Sequence, residues 1–209
     1  MIRRIFAYLL AVAAGCAIGI GSALGMAGLL PGTNSLAFGD VDVGGWRSDF
    51  ATGSEAADAY TRARVARHGL LALAKSEAVY FTRATDDDGQ PLREACTYRL
   101  TTGAMPAGWW SITLYNGDSM LPDNDDEALS INAGQDMAAR IGDEIVGQGG
   151  TATIAPRRPE GRGLWISSRN AGRFDLTLRL YMPDDALLAD PAGTLDPPQI
   201  ERLACEDAA

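Results

Sequence analysis

One histidine, His68, stands in 209 residues, and that scarcity removes several kinds of chemistry. A Ser-His-Asp mechanism needs an imidazole between a nucleophile and an orienting carboxylate, and no Gly-x-Ser-x-Gly elbow occurs here. A zinc site draws three or four ligands from His, Cys and carboxylates, and one histidine beside Cys96 and Cys205, expected to be oxidised together while Cys16 sits in the apolar run, does not supply the usual set. Basic side chains are also short: 18 against 27 acidic ones leave a formal charge of −9. Such a balance repels nucleic acid and anionic headgroups. Solenoid repeats and long low-complexity tracts are missing. Gly142 and Gly147-Gln148-Gly149-Gly150 do not join a strand to a helix, so no phosphate-cradling loop is read there. No cofactor and no metal site is expected.

Charge is absent altogether from residues 5–30, and here the absence is itself a signal. As a helix, this run of 26 residues would reach about 39 Å, enough to cross a hydrocarbon core of about 30 Å with tilt. Arg3 and Arg4 precede it and favour the cytoplasmic side. The expectation is a single-pass bacterial inner-membrane protein, with residues 1–30 as anchor and the following domain in the periplasm. A cleaved signal peptide is the rival reading, with Gly25-Met26-Ala27 or Ser35-Leu36-Ala37 as cleavage sites. Ala13-Ala14-Gly15-Cys16 resembles a lipoprotein site, but apolar sequence continues past it. Gly15-x-x-x-Gly19 and Gly21-x-x-x-Gly25 would let two such helices pack as a homodimer.

Cys96 and Cys205 are the two cysteines outside the apolar run. An oxidising compartment permits a disulfide between them, and two separate thiols are the alternative. Residues 31–53 are rich in Gly and Asp and read as a linker that docks in places. Ser54 is a candidate N-cap, and Ala59, Ala63, Ala66, Leu70 and Leu73 follow helical spacing within a helix over 55–77. His68 falls on its opposite face, where a solvated role is expected.

The period then changes to two. Residues 79–82 and 94–100, joined by Asp86-Asp87-Asp88-Gly89, read as a β-hairpin. Trp110, Ile112 and Leu114 alternate with Trp109, Ser111, Thr113 and Tyr115; Phe174, Leu176, Leu178, Leu180 and Met182 form a core row against Asp175, Thr177, Arg179 and Tyr181. Shorter strands are expected at 128–132, 151–154 and 164–167, with 136–146 ambiguous and a short element at 199–203. One helix and seven or eight short strands fit a mainly β, antiparallel sandwich over residues 54–209, of jelly-roll kind, with the helix packed on it.

A set of segments adds to this. Ala59-Tyr60-Thr61-Arg62-Ala63, Glu77-Ala78-Val79-Tyr80-Phe81, Gly89-Gln90-Pro91-Leu92 and Cys96-Thr97-Tyr98 come in that order. Trp109-Trp110-Ser111-Ile112-Thr113-Leu114-Tyr115 and Arg179-Leu180-Tyr181-Met182-Pro183 follow. The chain resembles the bacterial domain of unknown function 1214 family, in its short membrane-anchored form. The resemblance implies a jelly-roll-like sandwich and brings no established reaction with it, which leaves the activity open. That family commonly has Asp where this chain has Asn116, and an Asn-Trp-Leu-Pro stretch where it reads Leu164-Trp165-Ile166-Ser167.

Trp109, Thr113, Tyr115, Arg179 and Tyr181 are the candidate binding residues, on the non-core row of the two strongest strands. If those strands are neighbours, rings, hydroxyls and a guanidinium form a platform for a sugar, a peptide or an apolar ligand. The alternative is that helix 55–77 covers this row. Asp86-Asp87-Asp88 and Asp123, Asp125, Asp126 and Glu127 are acidic clusters without EF-hand spacing. The expected function is a non-catalytic envelope protein binding a small ligand or partner protein. The alternative is an envelope hydrolase in which carboxylates such as Asp175 or Asp118 converge in a cleft.

Overall fold

The structure is a computed structural model describing residues 2–30, 39, 41–67, 73–135, 139–141, 144–146, 150–161 and 163–206. Its elements run α1 (Ile2–Met26), β1 (Val41–Val43), β2 (Trp46–Ser48), α2 (Ala59–Arg67), β3 (Ala78–Arg83), β4 (Cys96–Thr102), β5 (Ala107–Asn116) and β6 (Ser130–Asn132). β7 (Ala139–Ile141), β8 (Glu144–Val146), β9 (Gly150–Ala155), β10 (Leu164–Ser167), β11 (Phe174–Pro183), α3 (Asp185–Ala189), α4 (Pro191–Thr194) and β12 (Gln199–Cys205) follow. His68 and Leu70 lie outside the described residues, as do Gly142, Gly147, Gln148 and Gly149.

Two sheets face each other. The first has the order β1-β2-β3-β11-β5-β6 and the second β10-β9-β4-β12, while β7 and β8 pair separately. Phe81, Ile112, Leu114, Leu176 and Leu178 from the first sheet meet Tyr98, Leu100, Ile154, Ile166 and Ile200 from the second in one core. These are the inward members of period-two strands, so the alternation in the sequence maps onto the core directly. One pairing departs from a purely antiparallel plan: β9 and β10 run parallel.

α1 has no buried residue and is long and apolar enough to cross a membrane. Its C-terminal end meets α2, where Arg64 Nε donates to the Met26 carbonyl at 2.7 Å and Arg67 donates to that of Gly28. Cations suit the carbonyl end of a helix, whose last groups have no partners of their own.

The segment expected as linker 31–53 contributes a hairpin to the sheet. Gly44 (φ 59°) and Gly45 (φ 84°) form its two-residue turn, a conformation that side chains with a Cβ adopt poorly. Trp46 is fully buried, and its indole N–H donates to the Pro198 carbonyl at 2.8 Å.

The helix expected over 55–77 spans only Ala59–Arg67 among the described residues. Ser54 does not cap it. Asp58 does, its carboxylate accepting from the N–H groups of Tyr60 at 2.8 Å and Thr61 at 2.7 Å. Those bonds hold the Asp58 carboxyl below its usual range. Ala59, Ala63 and Ala66 are exposed and Thr61 is the buried residue of α2. An alanine stripe offers too little apolar area to hold a helix on a sheet.

The expected hairpin is corrected in its pairing. A tight turn does form, Gly89 N–H donating to the Asp86 carbonyl at 3.1 Å and Thr85 bridging Pro91. Beyond it the strands part: β3 pairs with β11 in one sheet, β4 with β9 and β12 in the other. Met182 is also corrected. Its φ of 50° interrupts the alternation, leaving it exposed while the neighbouring Pro183 is buried.

Candidate functional site

β11 lies between β3 and β5, so its outward residues have neighbours on both sides. The register sets Tyr181 opposite Trp109, Arg179 opposite Ser111, Thr177 opposite Thr113 and Asp175 opposite Tyr115. Directly opposed antiparallel residues share a face. The five residues singled out in the sequence therefore do occupy one face of two adjacent strands.

Trp109 and Tyr181 form a cross-strand pair with ring centroids 5.3 Å apart. Trp109 keeps 38% of its surface and Tyr181 is half-buried, so the pair is open to contact. Arg179 reaches along the row over Thr113 and Thr177 to the far end. Its guanidinium donates to the Tyr115 hydroxyl at 2.6 Å and sits 5.4 Å from that ring's centre. Thr177 is buried, its hydroxyl 3.1 Å from that of Thr82 on β3. The face is thus graded from an open aromatic end at Trp109 and Tyr181, across buried Thr177, to a cation-and-phenol pair at Tyr115. α2, the element expected to cover it, leaves its alanine stripe in solvent instead.

Asp175 closes the row beside Tyr115. It is buried, and its Oδ1 has no hydrogen-bond partner. Burial alone pushes its carboxyl up to about 7, because the charged form loses its hydration. A second carboxylate within reach would add repulsion, and none contributes. Asp118, the other carboxylate considered, is an exposed turn residue.

Asn116 accepts from the N–H groups of Asp118 at 3.0 Å and Met120 at 2.9 Å through its side-chain oxygen. An aspartate could accept the same two bonds, so this departure preserves a turn. Trp165, in the other departing stretch, donates its indole N–H to the Ala155 carbonyl at 2.9 Å.

The acidic clusters are occupied by arginines. Asp126 accepts from Arg169 Nε at 2.9 Å and from the Ser167 hydroxyl at 2.5 Å, and Asp125 also pairs with Arg169. These bonds hold both carboxyls below their usual range. Asp86 meets Arg202 at 2.7 Å, and Asp87 meets Arg83 at 3.0 Å. Among the described residues no group of three metal-ligating side chains converges.

What the sequence did not single out is a cleft of about 720 Å³ at one end of the sandwich, lined by Arg93, Arg157, Arg169 and Arg173. Arginines scattered over 80 positions carry no spacing signal, and only folding gathers them.

The profile of the family described as Protein of unknown function (DUF1214) matches residues 77–185. Among solved structures, the chain is similar to the VPA0106 protein from Vibrio parahaemolyticus, with 23% identity and a TM-score of 0.53. That alignment covers 71% of this chain and 36% of that one, so the chain spans about a third of its neighbour's length. An uncharacterised protein from Burkholderia cenocepacia is similar at 15% identity and a TM-score of 0.38, over 60% of this chain and 29% of that one. At such identities the first likeness speaks to fold alone. No curated protein matches the chain.

Proposed function

The chain belongs to the DUF1214 family, and from that premise we propose that it is a non-catalytic binding module held at the bacterial inner membrane by α1. Its recognition surface is the outer face of β5 and β11. The observation that carries this reading is the Trp109–Tyr181 pair, open to solvent on a face that α2 does not cover. Flat rings bind the apolar faces of sugars and peptide side chains, and Arg179 with Tyr115 supplies directional polar contacts beside them. The ligand class is a saccharide–peptide polymer of the envelope, which presents both chemistries together.

The two-carboxylate hydrolase is the weaker reading. Asp175 has a raised proton affinity, but burial alone accounts for it and Asp118 points to solvent on a separate turn. For location, Arg3 and Arg4 ahead of α1 support a cytoplasmic N-terminus, and the Cys96–Cys205 disulfide supports a periplasmic domain.

Titration of the full chain in detergent with soluble muropeptides should shift its tryptophan emission saturably. Trp109→Ala should weaken that binding at least tenfold, the usual loss for an aromatic anchor. A parent spectrum indifferent to muropeptides, or a variant that binds as well as the parent, would remove the reading.

A further inference from the structure

We infer that the cleft at the disulfide end of the sandwich binds a small soluble oxyanion, a phosphate monoester or carboxylate on an apolar body, through Arg93 and Arg173. The two residues face each other across an isolated antiparallel bridge. Both are exposed, and like charges placed directly opposite in such a pair repel. This chain has 27 acidic residues to set against them. Neither guanidinium meets a carboxylate among the described residues.

The acid beside Arg93 in the sequence is turned to another task. Glu94, next in sequence to Arg93 and part of the same lining, gives both carboxylate oxygens to backbone. One accepts from Asn170 N–H at 2.9 Å and the other from Gly172 N–H at 3.0 Å. That carboxylate fixes the loop carrying Arg169 and Arg173 and leaves the two arginines unanswered. Arg169 already pairs with both Asp125 and Asp126, and Arg157 pairs loosely with Glu206 at 3.2 Å in solvent. The free charge in the cleft is therefore that of Arg93 and Arg173, two planar donor forks matched to an oxyanion.

The site is built on fixed elements. Glu206 N–H donates to the Ala95 carbonyl at 2.7 Å, beside the Cys96–Cys205 disulfide. Arg93 N–H donates to the buried Tyr98 hydroxyl at 2.9 Å. At about 720 Å³ the cleft is sized for a small organic molecule rather than a lone ion. Ala95, Pro156 and the arginine methylenes give that molecule an apolar wall. The overall charge of −9 makes a soluble ligand the better source than an anionic bilayer.

The test uses the full chain in phosphatidylcholine nanodiscs, titrated calorimetrically with phenyl phosphate and, as neutral control, phenol. Saturable binding of phenyl phosphate alone is expected, weakening as salt is added. Arg93→Gln and Arg173→Gln should each weaken it at least tenfold, while Arg99→Gln, which removes a surface ion pair elsewhere, leaves it unchanged. Without ligand, the two cleft variants should melt no lower than the parent, because each relieves a repulsion. Non-saturable binding, equal binding in the cleft variants, or equal loss in Arg99→Gln overturns the proposal. So does a lower ligand-free melting point in both cleft variants, which would make the arginines structural. Binding that needs phosphatidylglycerol in the nanodisc would assign the site to a headgroup and overturn the soluble ligand.

Discussion

At Asp175 stability and environment disagree. Its carboxyl is buried with one oxygen unpartnered, and its folded value of about 7 stands above an ordinary 3.8. Below pH about 4 both folded and unfolded chains hold the proton, and stability is unaffected. Between about 4 and 7 the unfolded chain loses the proton first, so stability falls as pH rises, by up to about 4 kcal/mol across the window. Asp175→Asn keeps the shape and removes the titration. Urea unfolding of the full chain in detergent should show the variant more stable than the parent at pH 8 by about 2 kcal/mol or more, with the difference vanishing by about pH 3. A parent and variant with parallel pH profiles would mean that the carboxyl is solvated after all.

Among the elements, strands of strong alternation were legible and their partners were not. β5 and β11 carry an apolar residue at every second position, and such a row admits one orientation toward a core. Periodicity also located β9 and β10 closely. It did not say that β3 and β4 part after their turn, because the Asp-Asp-Asp-Gly signal at 86–89 reports a local reversal only. The helical pattern runs longer than the helix itself, because alanines at helical spacing resemble a buried stripe without its area. The β1–β2 hairpin is masked in the pattern, since Gly44-Gly45 between Val43 and Trp46 is a turn signal hidden in a Gly-rich stretch. The candidate face was legible because its residues sit on the two clearest strands, whereas the arginine cleft is assembled from separate loops. One long-range tie was readable from composition, as the domain's two cysteines are bonded. They face each other across β4 and β12. Reducing them in the full chain should cost about 2–4 kcal/mol in urea unfolding. An unchanged midpoint with dithiothreitol would mean that hydrogen bonds alone hold β12 in place.

At the scale of the whole molecule, an apolar helix of 25 residues precedes a domain closed by a disulfide. The two features make one statement about compartment, and they can be tested together. In intact cells the parent's Cys96 and Cys205 should resist alkylation until reductant is added. A copy lacking residues 2–30 should remain in the cytosol with both thiols reactive. Ready alkylation of the parent would place the domain inside the cell.

The position of β11 has a consequence for how the chain must assemble. It is an inner strand of its sheet, yet it follows β3 by about ninety positions and β5 by about sixty. Until it is synthesised and inserted, two apolar strands present bare edges to any neighbouring chain. Nucleation cannot finish within the first half of the sequence, and late closure of this kind makes for slow maturation. The hazard during biogenesis is therefore premature edge-to-edge association, and a holding chaperone is most useful before residues 174–183 emerge.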